Sequence, residues 1–333
     1  MKISVIVPVY NGGEQLRRCL EALAGSERVP DEVIVVDDGS TDDSAQSAAD
    51  FGFRTIRLDS GPNGPAMARN HGVAASSDPD ILLFIDADVV VGPQTVARVE
   101  EHFHKHADVA AIFGSYDDDP PERNITSLYK NLLHHYTHQN SDRESSTFWA
   151  GCGAIRSEAF VAIGGFDAGY RRPAVEDIEL GSRLCAAGYR IHLCPEIQVK
   201  HLKRWTPQSM VSTDIFCRAL PWSRLVVSQG QLPNELNLRM ENRFSAMAAV
   251  ALVLSLFTSL VFPAALLAAM VFAALFVLLN WQLLTFFSAQ GGVLFGMAAA
   301  VLHLFYYLYS TAALAWVIVE ATLSRTRAAV ARS

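Results

Sequence analysis

Short apolar runs alternate with helical repeats through the first ninety residues. "ISVIVPVY" (3–10) is apolar and β-branched, is closed by Asn11, Gly12 and Gly13, and reads as a buried strand. "EQLRRCLEALAG" (14–25) sets Leu16, Cys19, Leu20 and Leu23 on one helical face and stops at Gly25. "DEVIVVDDGS" (31–40) predicts a second strand, and "STDDSAQSAADFG" (40–52) a second helix with Ser40 or Thr41 as its cap. "FRTIRLD" (53–59), "NGPAMARNHGVAAS" (63–76) and "DILLFIDADV" (80–89) predict strand, helix and strand. Such alternation predicts an α/β domain whose mostly parallel sheet is covered on both faces. In such sheets ligands bind beyond the carboxyl ends of the strands. Asn11, Asp37, Asp38, Asp86 and Asp88 all fall at those ends.

The pattern then changes. From Ala246 to Val319 there is no Asp, Glu, Lys or Arg, which predicts membrane helices rather than the bundle of a soluble protein. The run 247–279 is broken by Pro263. It is too long for one upright span of a hydrocarbon core about 30 Å thick and short for two. Residues 293–319 predict a further span, so two or three are expected. Between the two parts, residues 206–245 mix apolar positions with arginines and Trp222, the composition of helices lying in a membrane interface. Arg218 and Arg224 are expected near lipid phosphates. The organisation expected is therefore a domain at 1–205, interfacial helices at 206–245, membrane helices at 246–322 and a basic tail at 323–333.

Charge follows that division. The whole chain carries −7; residues 201–245 carry +3 and 246–333 carry +2, which leaves −12 for residues 1–200. An acidic domain argues against nucleic acid as a partner, while a basic segment beside a membrane is attracted to anionic headgroups. The tail cations Arg325, Arg327 and Arg332 favour a cytoplasmic tail, and with a cytoplasmic domain an even number of spans. The five cysteines are widely spaced without a C-x-x-C, as for buried thiols in a reducing compartment. "MKISVIVPVYNGG" is too short an apolar run for a signal peptide, so none is expected.

Two carboxylates one residue apart, Asp86 and Asp88, repel unless a cation or hydrogen bonds offset them. Hard carboxylate oxygens suit Mg²⁺ or Mn²⁺, and those ions suit a diphosphate. Taken alone, a D-x-D is more often a loop that caps the next element. It does not stand alone here. "ISVIVPVYN" (3–11), "VIVVDDGSTD" (33–42), "ARNHG" (68–72), "IDADV" (85–89), "AIGGFD" (162–167) and "VEDIELGSRL" (175–184) occur in that order. Together they resemble the inverting family 2 glycosyltransferases of GT-A fold, a Rossmann-like nucleotide-diphospho-sugar transferase, over residues 3–205.

The resemblance implies roles. Pro8, Tyr10 and Asn11 would line the nucleotide pocket. Asp38, with Asp37 beside it, would bond the base or ribose; the alternative for both is helix capping. Arg69 would open the third helix and reach the nucleotide. Asp86 would meet the ribose or the metal, and Asp88 and His201 would bind the Mg²⁺ or Mn²⁺ itself. Asp177 matches the general base, Glu176 would position it or the acceptor, and Glu179 would be structural. Trp149, Gly151 and Gly153 would lie on the acceptor side, the glycines admitting a sugar, with Trp149 either stacking on the acceptor or packing in the core. Arg204 and Trp205 resemble part of the Q-x-x-R-W motif of processive synthases, but Gln198 lies six residues before Arg204 rather than three.

His134 and His138 are spaced four apart on a helix, as zinc ligands can be, but no third ligand accompanies them. "NIT" (124–126) is a glycosylation sequon by pattern only. The expected function is metal-dependent transfer from a nucleotide-sugar donor to a lipid-linked or membrane-proximal acceptor. The expected place is the inner membrane, with the catalytic domain cytoplasmic. The alternatives are a processive polysaccharide synthase and a non-catalytic membrane scaffold. A Rossmann dehydrogenase is disfavoured, since no G-x-G-x-x-G follows the first strand.

Overall fold

Each apolar run of the first half becomes a strand, because its residues are shielded on both faces. In this computed structural model, which describes residues 1–59, 61–230, 236 and 239–330, the chain falls into two units. The first comprises Met1–Arg123 and Thr137–Arg204, the second Asn124–Tyr136 and Trp205–Ser333.

In the first unit β1 (Ile3–Val9), β2 (Glu32–Asp37), β3 (Arg54–Arg57) and β4 (Ile81–Ile85) run parallel in the order β3-β2-β1-β4. α1 (Gly13–Ala24), α2 (Ser44–Asp50) and α3 (Pro65–Ala75) connect them. The second helix begins later than the sequence predicts. Neither Ser40 nor Thr41 caps it: the Ser40 hydroxyl accepts from the Asn11 amide at 2.9 Å, and Thr41 donates to the Asn11 side chain at 2.8 Å.

The run that looks like one strand at 80–91 is two. β4 ends at Ile85, the chain turns at Asp86-Ala87-Asp88, and β5 (Val89–Val91) joins a different part of the sheet. α4 (Thr95–Lys105), β6 (Val109–Tyr116), β7 (Glu144–Ser145), β8 (Cys152–Arg156), α6 (Ser157–Ala162), α7 (Glu176–Ala186) and β9 (Arg190–His201) follow, with α5 (Ile125–Gln139) between β6 and β7. β8 enters antiparallel between β4 and β6, and β9 lies parallel to β6 and antiparallel to β5. The sheet is therefore mixed, and its parallel half is the part read directly from the sequence. Leu16, Leu20 and Leu23 of α1 and Phe103 of α4 pack on Val5, Val7, Ile81 and Leu83. Each such buried side chain contributes about 1.5–3 kcal/mol.

In the second unit α8 (Pro207–Ser212) passes through a π-helical stretch, Thr213–Ala219, into α9 (Leu220–Gln229). This segment is not simply interfacial. It buries Asp214, which accepts from Lys130 Nζ at 2.7 Å and from the Tyr309 hydroxyl at 2.6 Å. Arg218 lies 3.7 Å from Asp214, and Arg224 pairs with Glu320 at 3.2 Å, so both arginines have protein partners. α10 (Met240–Ser259) and α11 (Ala265–Leu279) part at the proline, and α12 (Trp281–Gly291) and α13 (Val293–Val330) follow. α10 and the stretch Val293–Ser324 are long and apolar enough to cross a membrane; α11 and α12 form a pair bent by 69° that makes up to a third span. Residues 231–235 of the expected interfacial segment, the side chains of Arg325 and Arg327, and Arg332 lie outside the described residues.

Candidate active site

The loop after β1 is fastened to the loop after β2. Asn11 takes a positive φ of 54°, and the Gly12 and Gly13 amides donate to Ser44 Oγ and Asp42 at 2.9 and 3.0 Å. Tyr10 is exposed and Pro8 half-buried beside it. Asp37 is fully buried: its carboxylate accepts from the Ser40 amide at 2.8 Å and lies 3.6 Å from Arg57. Asp38 accepts from the backbone amides of Asn63 and Gly64 at 2.8 and 2.7 Å. Both carboxylates thus organise loops. Neither caps α2, and Asp38 holds the approach to α3.

Arg69 does not open its helix. Pro65 does, with its fixed φ at the first turn, and Arg69 lies one turn inside, buried. Its fork bonds Asp86 Oδ1 at 2.7 Å with one nitrogen and Glu176 Oε1 at 3.0 Å with the other. The guanidinium also lies 5.3 Å over the Phe166 ring, from the "GGFD" segment. A carboxylate from the aspartate corner and one from α7 are thereby tied to a single cation.

Glu176 is buried and also accepts from the Ala174 amide at 2.9 Å. Asp177 accepts from the amides of Ala150 and Ile178 at 3.1 and 2.8 Å. Burial, with the charge of Glu176 beside it, pushes the Asp177 carboxyl up to about 7. Glu179 pairs with Arg183 at 2.6 Å, as a structural residue does.

Across the corner, Asp88 Oδ2 stands 3.4 Å from His201 Nε2, since β5 and β9 pair Val89 with His201. Burial raises the Asp88 carboxyl, but His201 and Lys203 outweigh it and hold the group below its ordinary value. Burial raises Asp86 above its ordinary value, with Asp88 adding to it and Arg69 opposing. Asp88 and His201 make an oxygen-and-imidazole pair that fits Mn²⁺ or Mg²⁺, with further positions left to a diphosphate or water. Asp86 gives its Oδ1 to Arg69 at 2.7 Å.

His201 stacks on Tyr116 with centroids 4.2 Å apart, Tyr116 meets Trp149 edge-on at 4.8 Å, and Trp149 meets His138 at 5.6 Å. His138 Nδ1 donates to the Gly114 carbonyl at 3.1 Å, so it is a packing residue of this unit. A Cβ on Gly151 would stand 2.5 Å from the Trp149 ring, and one on Gly153 2.5 Å from the Phe148 ring. These glycines make room for the Trp149 and Phe148 side chains. Arg204 is exposed, 3.7 Å from Glu122. Trp205, expected at the acceptor, is a core residue of the second unit: it is buried, and its amide donates to Ser127 Oγ at 2.7 Å.

The model of glycosyl transferase family 2 matches residues 4–164, and that of the N-terminal domain of galactosyltransferase matches residues 130–205. The chain is 26% identical over 235 residues to the O-antigen chain rhamnosyltransferase RfbN of Salmonella typhimurium, covering 67% of this chain and 74% of that one. The mannosyltransferase PcManGT from Pyrobaculum calidifontis, solved with GDP-Man and Mn²⁺, superposes with a TM-score of 0.58 at 16% identity, over 95% of this chain and 87% of that one. TarS 1–349 of S. aureus, solved with UDP-GlcNAc, gives 0.51 at 20% identity over 69% of this chain and 66% of that one. The site just described thus sits in a GT-A fold, residues 4–164 form a glycosyl transferase family 2 domain, and the chain is a glycosyltransferase.

Proposed function

We propose that the enzyme moves a sugar, with inversion, from a nucleotide-sugar donor to a lipid-linked or membrane-proximal acceptor. The observation that carries this reading is the single guanidinium of Arg69. It ties the corner of Asp86 and Asp88, on the donor side, to Glu176 and hence to Asp177 on the acceptor side. Asp177, with its carboxyl near 7, is suited to take the proton of an acceptor hydroxyl. As that proton passes to Asp177, the oxygen bonds to the anomeric carbon, and the bond from that carbon to the diphosphate breaks, its electron pair leaving with the diphosphate. Asp88 and His201 would hold a divalent cation, which would supply Lewis-acid stabilisation of that leaving group.

PcManGT and TarS, with their nucleotide-sugars, support the donor class. RfbN, an O-antigen chain enzyme, supports a cell-envelope glycan as acceptor. The apolar helices of the second unit support placement in the inner membrane, with the first unit on the cytoplasmic side where nucleotide-sugars are made. The test is a screen of nucleotide-sugars for thermal stabilisation of the purified full chain, followed by transfer of the stabilising sugar to membrane extracts. A donor that stabilises the chain and labels a lipid-soluble product supports the reading; stabilisation with label only in water-soluble product overturns the acceptor class.

A further inference from the structure

Metal-ligating side chains also converge at the start of β9, away from the aspartate corner at its end. His102, on the inner face of α4, has Nδ1 3.3 Å from Cys194 Sγ and Nε2 3.2 Å from His192 Nδ1. Ligand atoms of His102, Cys194 and Glu196 all lie within 4.8 Å of one another. His192 precedes, and Cys194 and Glu196 lie in, the irregularity where the pairing of β9 with β6 skips from Leu193 to Gln198, and α4 packs against that strand. From Cys194 to His201 the strand runs roughly 20 Å, so the two centres are separate.

We infer that His102 Nδ1, Cys194 Sγ and a Glu196 carboxylate oxygen form a site for a divalent transition metal of the zinc class, clamping α4 to β9 with water in the fourth position. Zinc holds imidazole nitrogen at about 2.0–2.1 Å and thiolate sulfur at about 2.3 Å. In a tetrahedron those ligands stand about 3.5 Å apart, close to the 3.3 Å found between His102 and Cys194. A metal-bound histidine is held by a bond from its other nitrogen. A metal on His102 Nδ1 leaves Nε2 as the donor of the 3.2 Å bond to His192 Nδ1; Cys194 Sγ, 3.3 Å from Nδ1 and 4.0 Å from Nε2, lies over the ring, so the imidazole turns to present its lone pair on binding. The far nitrogen of His192, Nε2, is buried without a partner among the described residues. His106, just after α4, packs on His102 with centroids 4.5 Å apart. On binding, the Cys194 thiol loses its proton to solvent and a metal–sulfur bond forms. Thiolate and imidazole select zinc over the Mg²⁺ or Mn²⁺ suited to Asp88. Glu196 reaches the site from the surface, exchanging its 3.5 Å pairing with Arg143 for the metal.

The test is a Co²⁺ titration of the full chain in detergent, stripped with EDTA and then given excess Mg²⁺ to fill the aspartate site. The expected result is one equivalent of Co²⁺ with a thiolate-to-cobalt absorption band that Zn²⁺ abolishes. Cys194→Ser is expected to lose the band. Because Cys194 is buried, Glu196→Gln at the exposed position is the second variant, expected to keep the band while binding Co²⁺ about tenfold or more weaker. No band in the wild type, a band in Cys194→Ser, or unchanged Co²⁺ affinity in Glu196→Gln overturns the site.

Discussion

Asp88 and His201 face each other across the pairing of β5 with β9, Oδ2 to Nε2 at 3.4 Å. His201 ends β9 and Asp88 is the turn residue just before β5, so the pairing of Val89 with His201 brings the two together. Removing one ligand forfeits several kcal/mol of leaving-group stabilisation, so Asp88→Ala is expected to slow transfer by about 100-fold or more. EDTA should do the same to the wild type. His201→Asn should cost more with Mn²⁺ than with Mg²⁺, because the imidazole favours the softer ion. Steady-state rates across the two metals check this, and full activity in EDTA would sink it.

With Asp177 as the proposed base, its titration is expected to set the pH profile. Its carboxyl is raised to about 7, so the basic form is present above that value and is lost as pH falls through it. We expect kcat/KM to fall about tenfold per pH unit on the acid side. Asp177→Asn should drop turnover by about 10²-fold or more and remove that limb, with donor affinity little changed. A wild-type profile flat from pH 5 to 8 counts against Asp177 as base.

Arg69 and Glu176 are both buried. Arg69→Met strands two carboxylates, and losing one partner of a buried pair costs about 3–5 kcal/mol. Lysine cannot supply the fork, so Arg69→Lys should recover little. Adding Glu176→Leu to Arg69→Met should restore part of the loss. Thermal midpoints of the four proteins decide it; additive losses would show that the two residues do not act as a pair.

Asp38→Ala leaves the Asn63 and Gly64 amides without their acceptor, at about 1–3 kcal/mol. Asp38→Asn keeps one oxygen and should be milder. Donor affinity should fall along with stability, since the same loop leads into α3. A variant that loses donor binding at an unchanged unfolding midpoint would make Asp38 a direct nucleotide contact instead.

Leu128, Tyr129, Leu132, Leu133 and Trp205 pack with Met210, Leu283 and Phe287 in the second unit. A chain shortened to residue 205 bares that cluster to water. It should therefore aggregate without detergent, as size-exclusion chromatography would show; a monodisperse soluble monomer is the contrary result.

Local pattern explains what was legible in the sequence. The run Val33–Val36 declares a strand because burial on both faces needs only neighbouring residues, and Asp177 at the start of α7 is visible in "VEDIEL". The split between β4 and β5 is not visible, because Val89–Val91 continues the apolar run and only pairing with β9 separates it. The sequence pattern puts Arg69 at a helix start, yet its partners come from 17 and 107 residues away. His102 and Cys194, 92 residues apart, leave no spacing to read.

The backbone passes between the two units three times, after Arg123, Tyr136 and Arg204. No single crossover between genes can therefore part the catalytic sheet from the apolar helices cleanly. Recombination that joins this sheet to another anchor must bring along residues 124–136 or leave their apolar face orphaned. Descent should keep the two halves together, so a lineage that changes its acceptor will do so by point substitution rather than by exchange of parts.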